Sequence, residues 1–183
     1  MNDSKISVRY ARAIFQSALE KKILDKVNED MIFISEVCKT PEMKEFLGSP
    51  IITPSKKEAI LHKMFDKNVE KITLSLIDLI VKNGREGFIP AIAREFMHET
   101  KKYRGITESV LTTAVKVDEG VKKQITDLIA GVFKTKVELK EIIDPEIVGG
   151  FILQIDDSYI DGSIRNKLRK IKKELIGSVM ATE

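Results

Sequence analysis

Ile106-Thr107-Glu108-Ser109-Val110-Leu111-Thr112-Thr113-Ala114-Val115-Lys116-Val117 is the stretch on which the fold turns. It is rich in Thr and Val, and Leu111, Thr113, Val115 and Val117 alternate as residues of a strand do. Before Gly105 the apolar residues recur at spacings of three and four, the period of helices. The change of period predicts a boundary between a helical part, residues 1–105, and a smaller mixed part, residues 106–183. The expected fold class is α+β, mainly α: an N-terminal six-helix bundle followed by a small β-α-β-β-α domain.

Upstream of the boundary, turn residues divide the chain into helices. From about Ser4 to Lys22, Tyr10, Ile14 and Ala18 share a stripe flanked by Ala11 and Phe15. The next helix places Leu24, Val27, Met31, Ile34 and Cys38 on one core-facing side, so Cys38 reads as a small buried hydrophobe. Thr40-Pro41-Glu42 and Thr53-Pro54 each supply an N-cap and a proline at the first helical position. The fourth helix is expected to turn Ile60, Leu61, Met64 and Phe65 inward. The fifth carries Val69, Ile72, Leu76, Leu79 and Ile80 and stops at Asn83-Gly84, where glycine takes the left-handed conformation. The sixth uses Ile89, Ile92, Phe96 and Tyr103, with Pro90 in its first turn.

Downstream, Asp118 caps a helix whose Val121, Ile125, Leu128 and Val132 are expected to face the core. A second alternating segment, Val137 to Lys140, follows, and Asp144-Pro145 makes a turn. Ile147, Gly149, Phe151, Leu153 and Ile155 then predict the inward face of a third strand, with Gly149-Gly150 marking a bulge or a close backbone approach. Asp156, Asp157 and Asp161 read as a solvated hairpin and a helix cap. The last helix has Ile164, Leu168, Ile171 and Leu175 on one side.

Composition excludes several classes of function. Of 183 residues, 43% are hydrophobic and 32% charged, which is too apolar for a disordered chain. No apolar run approaches the roughly 20 residues of a membrane-spanning helix, and Met1-Asn2-Asp3-Ser4 opens without the basic head of an export signal. A soluble protein is expected. The 31 basic and 28 acidic residues leave a net charge of only +3, unlike a dedicated nucleic-acid binder. Residues 1–105 carry 19 basic and 15 acidic side chains, and residues 106–183 carry 12 and 13.

No catalytic constellation survives spacing arguments. Gly149-Gly150 and Gly84-Arg85-Glu86-Gly87 do not have the form of a phosphate loop. His62 and His98 each lack a partner histidine four residues away, and with Cys38 they make no zinc site unless carboxylates assist. The acids from Asp156 to Asp161 lack the spacing of a calcium loop. No enzyme activity, cofactor or metal is therefore expected.

Two surfaces stand out instead. Ala13 stands off the main stripe of the first helix and Leu79 widens the apolar arc of the fifth, so neighbouring helices would line a groove for a partner helix, or simply thicken the core. Six of the nine residues from Arg165 to Lys173 are basic, uninterrupted by an acid. That run fits a solvated helix face, an acidic partner or lipid surface, or a nucleic acid.

Tyr10-Ala11-Arg12-Ala13-Ile14-Phe15, Phe46-Leu47 before Ser49-Pro50, Lys82-Asn83-Gly84-Arg85, and Asp144-Pro145-Glu146-Ile147-Val148-Gly149-Gly150 followed by Asp161-Gly162-Ser163-Ile164 resemble the delta subunit of F-type ATP synthases. The mitochondrial relative is the oligomycin-sensitivity-conferring protein. The resemblance runs from about residue 5 to residue 178. It implies a non-catalytic peripheral-stalk subunit without a cofactor or small-molecule substrate, held at the cytoplasmic face of a bacterial plasma membrane through its partners. It further implies a bundle that grips the N-terminal helices of the alpha subunits in a groove between its first and fifth helices. By position, Tyr10, Ala13 and Ile14 would line one side and Leu76, Leu79 and Ile80 the other. The smaller domain would join the b subunits near their C-terminal helices, with Arg165, Arg169, Lys170 and Lys173 as contacts. The competing expectation is a helical nucleic-acid-binding regulator that uses the basic last helix.

Overall fold

A computed structural model describes residues 3–156 and 158–180, with side-chain surroundings for 5–156 and 158–173. The chain divides into two compact units, Met1–Arg104 and Gly105–Glu183. The described residues are mainly helical, with one four-stranded mixed sheet.

The first unit contains α1 (Asp3–Glu20), α2 (Leu24–Val37), α3 (Pro41–Gly48), α4 (Pro54–Phe65), α5 (Lys71–Lys82) and, after a 3-10 turn at Glu86–Phe88, α6 (Ile89–Tyr103). α6 packs against both α1 and α2, and α4 against α5. Its core is aliphatic, centred on Val27, Met31, Ile34, Leu61, Ile77, Ile80 and Ile92. Phe96 adds a ring set edge-on to Phe15 at 6.0 Å, and Phe65 one set edge-on to Phe33 at 5.8 Å. Pro41, Pro54 and Pro90 all lie in first helical turns, where their missing N–H is not needed.

Cys38 closes α2 at 3% exposure, and burial pushes its thiol up to about 11. Because the thiolate is the nucleophile, Cys38 should resist Ellman's reagent at pH 8 in the native chain and react once denaturant exposes it. Rapid labelling without denaturant would contradict its burial.

Several expected stripes are displaced. On α4, Leu61 and Phe65 are buried, but Ile60 and Met64 stand 40% and 38% exposed, and the inward place one turn earlier belongs to Lys57. On α5 the buried side is Thr73, Leu74, Ile77, Ile80 and Val81, with Leu79 turned outward. The polar residues Ser75, Asp78 and Lys82 share the outer side and fix the rotation of a helix that is apolar almost all round. Tyr103 keeps an edge contact with Phe15 at 5.7 Å yet is 63% exposed.

Buried polar residues tie these helices together. Asp30 of α2 accepts from the Glu70 backbone amide at 2.9 Å and from the Thr73 hydroxyl at 2.6 Å. It thereby caps α5, whose own N-cap residue Glu70 supplies no side-chain bond. Lys57 donates to the Leu47 carbonyl at 3.0 Å and to Glu86 Oε1 at 2.5 Å, joining α4 to the end of α3 and to the 3-10 turn.

The second unit is β1 (Ile106–Thr113), α7 (Glu119–Phe133), β2 (Lys136–Ile143), a 3-10 turn (Pro145–Ile147), β3 (Phe151–Ile155), β4 (Ser158–Asp161) and α8 (Ile164–Met180). The sheet order is β2-β1-β3-β4, with β1 parallel to β2 and antiparallel to β3. β4 is a strand beyond the expected β-α-β-β-α order. Four residues long and paired in a hairpin with β3 from Ile155↔Ser158 to Ile152↔Asp161, it is too short for its alternation to show. β1 stops at Thr113 rather than running to Val117, and Val115 is 72% exposed.

Two more stripes differ from expectation. On α7 Val121, Leu128 and Val132 face outward, while Lys122, Ile125, Thr126 and Ile129 form the covered side. Lys122 holds that side to the sheet through Glu141 at 2.7 Å. Ile147 is fully buried, but in the 3-10 turn rather than in a strand, and β3 buries Ile152 and Ile155 while Phe151 is exposed. Gly150, at φ +74°, lies between the turn and β3 and breaks the assumed phase.

Candidate partner-binding surfaces

The conformation of the Lys82–Arg85 segment follows from its residues. Gly84, at φ +63°, lets its own amide reach the Val81 carbonyl at 2.9 Å and the Arg85 amide reach the Ile80 carbonyl at 3.0 Å. This is a Schellman ending for α5. It delivers Asn83 and Arg85 to α1, where both donate to the Tyr10 hydroxyl, at 3.3 and 3.0 Å. The guanidinium groups of Arg9 and Arg85 also each lie 5.8 Å from the Tyr10 ring centre. Tyr10 thus locks α1 to the end of α5.

The six residues expected to line a groove are divided by the structure. Tyr10, Ile14 and Ile80 are 7%, 4% and 1% exposed and belong to the core. They set the distance between α1 and α5 and do not form an open face, because the helix period turns them inward with Ala11, Ala18 and Ile77. Ala13 is exposed, Leu76 is half-buried and Leu79 is 49% exposed. A groove of about 520 Å³ runs along α1, lined by Lys5, Val8, Arg9, Arg12, Ala13 and Gln16. Its apolar floor is small-residue surface, and its edges are basic.

Lys5, Arg9 and Arg12 lie outside the apolar stripe by which the sequence marks α1. Their signal was their spacing, at three and four, on the same side of α1 as Ala13.

In the second unit, Arg165, Arg169, Lys170 and Lys173 are exposed on α8. Arg165 lies 3.7 Å from Glu146, and Arg169 donates to Asn166 at 3.0 Å. Ile164, Leu168 and Ile171 are also 40%, 56% and 51% exposed, so this helix offers an apolar stripe together with its charges. Leu175 lies outside the described side chains.

The helix start is rigidly built. Asp161 accepts from the Ser163 amide at 2.9 Å, and Ser163 in turn accepts from the Asn166 amide at 3.2 Å. Hydrogen bonds from Ser163, assisted by Arg165 and Arg169, hold the Asp161 carboxyl below the usual carboxylate range. The Asp144–Gly150 segment lies beside this start. Asp144 accepts from the Glu146 amide at 3.0 Å, Ile147 fills the core, and the Gly149 carbonyl accepts from the Ile164 amide at 2.9 Å.

No helix among the described residues is long and apolar enough to cross a membrane. Among the described residues, the outward Leu79 of α5 and the apolar and basic face of α8 are exposed, and the α1 groove has basic edges.

Comparison with known proteins shows the family. Residues 6–175 match the family model described as the ATP synthase delta (OSCP) subunit. The ATP synthase subunit delta of Christiangramia forsetii is 34% identical, with 96% of this chain and 95% of the relative covered. That of Cytophaga hutchinsonii is 35% identical, with 98% and 99% covered. A chain in the cryo-EM structure of the Toxoplasma gondii mitochondrial ATP synthase hexamer shares the fold at a TM-score of 0.74 and 20% identity, over 93% of this chain and 97% of that one. These matches give the nucleic-acid alternative no support. The chain belongs to the ATP synthase delta (OSCP) subunit family.

Proposed function

We propose that the chain ties the catalytic head of an F-type ATP synthase to its peripheral stalk through two surfaces, one on each unit. Family membership makes it a non-catalytic stator subunit, whose task is to resist rotation of the head during ion-driven synthesis. The helical unit, residues 1–105, acts as a six-helix bundle that takes the N-terminal helices of the alpha subunits. The unit from residue 106 to 183 takes the C-terminal helices of the b subunits.

The observation that carries the first contact is the basic-edged groove lined by α1 residues, Val8 and Ala13 among them, together with the outward Leu79 and the half-buried Leu76 on α5, a helix that packs against α1. An amphipathic helix with apolar residues on one side and acids at its border fits that surface. On the second unit, the exposed Ile164, Leu168 and Ile171, with Arg165, Arg169, Lys170 and Lys173 beside them, support a contact with a long amphipathic helix. Two contacts on one chain reinforce each other, because the second binding event becomes intramolecular. The membrane association is peripheral, at the cytoplasmic face of a bacterial plasma membrane, and runs through the partners.

Leu79→Asp tests the first contact. Leu79 is half outside the core, so the variant should fold and keep its melting temperature within a few degrees. Its affinity for a synthetic peptide of the alpha-subunit N-terminus should fall about tenfold or more by calorimetry, or ~1.4 kcal/mol. Unchanged affinity in a folded variant would remove Leu79 from the contact.

A further inference from the structure

Glu58, His62 and Asp78 bring three metal-binding side chains together where α4 meets α5. Glu58 and His62 are four residues apart on one side of α4, and Asp78 reaches them from the outer side of α5. One donor atom from each lies within 4.8 Å of the other two. His62 Nε2 and Asp78 Oδ1 are 2.7 Å apart, and both side chains are a little over a third exposed, at 38% and 37%. Asp66 adds a further negative charge near the ring. The locality is therefore anionic on a chain whose net charge is +3, and it is open enough for an ion to enter.

We propose that Glu58, His62 and Asp78 form a binding site for a divalent transition metal of the zinc type, bridging α4 and α5. The donor set is one imidazole nitrogen and two carboxylates, as in three-ligand zinc sites that leave a fourth position to water. Ligand atoms around a tetrahedral zinc ion stand about 3.3 Å apart, given bonds of about 2.0–2.2 Å. The His62–Asp78 pair opens slightly to reach that spacing as the metal replaces the proton between them, and an exposed Glu58 closes by a rotamer change. Imidazole with so few oxygens disfavours Ca²⁺ and Mg²⁺, which take six or more oxygen ligands. The site is independent of the stalk reading, because it needs no partner and is measured on the chain alone.

The test is calorimetric titration of ZnCl₂ into the untagged full chain. One equivalent should bind with micromolar affinity, undiminished by millimolar Mg²⁺. His62→Ala and Asp78→Asn should each weaken binding at least about tenfold, while His98→Ala should leave it unchanged. Because the ligands span two helices, Zn²⁺ should raise the melting temperature of the parent chain and not of the His62→Ala variant. Co²⁺ in place of Zn²⁺ should give visible d–d absorption without a thiolate charge-transfer band, and that absorption should vanish with His62. Both variants change part-exposed residues, and circular dichroism confirms that they fold. Equal affinity in folded His62→Ala, displacement by Mg²⁺, binding only at millimolar Zn²⁺, or a thiolate band from Cys38 would overturn the site.

Discussion

Lys57→Ala is expected to destabilise the helical unit by about 3–5 kcal/mol, the range for removing one partner of a buried ion pair. Lys57 is 3% exposed and Glu86 9%. Without the ammonium, the Glu86 carboxylate is left in the core without its ion-pair partner, and its Oε2 already has no hydrogen-bond donor among the described residues. The Leu47 carbonyl loses its donor as well, so the end of α3, the first turn of α4 and the 3-10 turn before α6 separate together. Domains of this size hold about 5–15 kcal/mol in total, so the loss should lower the melting temperature steeply and move the urea midpoint with little change in slope. The double variant Lys57→Met with Glu86→Leu should recover most of that loss, because no charge is then stranded. A single variant as stable as the parent, or a double variant no better than the single, would show that the pair is not what joins these elements.

That lysine also shows where the sequence was legible and where it was not. The period change at Gly105, the proline starts, the glycine stop at Gly84 and the Val27, Met31, Ile34 and Cys38 side of α2 depend on local chemistry, which a sequence states directly. Lys57 sits in Ser55-Lys56-Lys57-Glu58, indistinguishable from an ordinary solvated turn. Its burial is set by an acid 29 positions away. Asp30 likewise caps a helix that begins some forty positions later, with Thr73 at a separation of 43. Such pairings appear only when the chain is folded, and apolar periodicity passes over them because it treats every charge as outward.

The candidate surfaces divide in the same way. Leu79 and Ala13 were identifiable because each broke its own helix stripe. The family resemblance sets Tyr10, Ile14 and Ile80 beside them, whereas the helix rotation puts these three in the core. The α7 stripe failed for a different reason. Val121, Leu128 and Val132 have the spacing of core residues, but the sheet beneath is covered by Lys122 with Ile125 and Ile129, leaving them exposed at 45%, 69% and 74%. An exposed apolar stripe and a buried one have the same period, so only the folded chain distinguishes them.

Gly150→Ala should have the largest effect in the second unit. Gly150 has φ +74°, where an added side chain is strained on its own account. An alanine Cβ would sit 2.4 Å from the Gly162 carbonyl oxygen and 3.3 Å from Ser163 Cα. These are backbone atoms held in place by the Gly162 amide bond to the Phe151 carbonyl, at 2.9 Å, and by the Ile164 amide bond to Gly149. The clash has no flexible side chain to displace, so β3 and the start of α8 must move apart. A loss above about 4 kcal/mol is expected, in the range reserved for strain at special backbone positions. The large buried apolar cluster draws only on residues of the first unit, from Tyr10 to Phe96. Hydrogen exchange should therefore collapse at β3, β4 and the first turns of α8 while the amides of α1, α2 and α6 keep their protection. Gly131→Ala is the control: Gly131 lies within α7 with nothing near its Cβ position, so alanine should stabilise there by up to about 1 kcal/mol. Two glycine-to-alanine changes of opposite sign would separate the backbone contact from any general effect of adding a methyl group. Equal and small effects would mean that the Gly150–Gly162 approach does not hold this unit together.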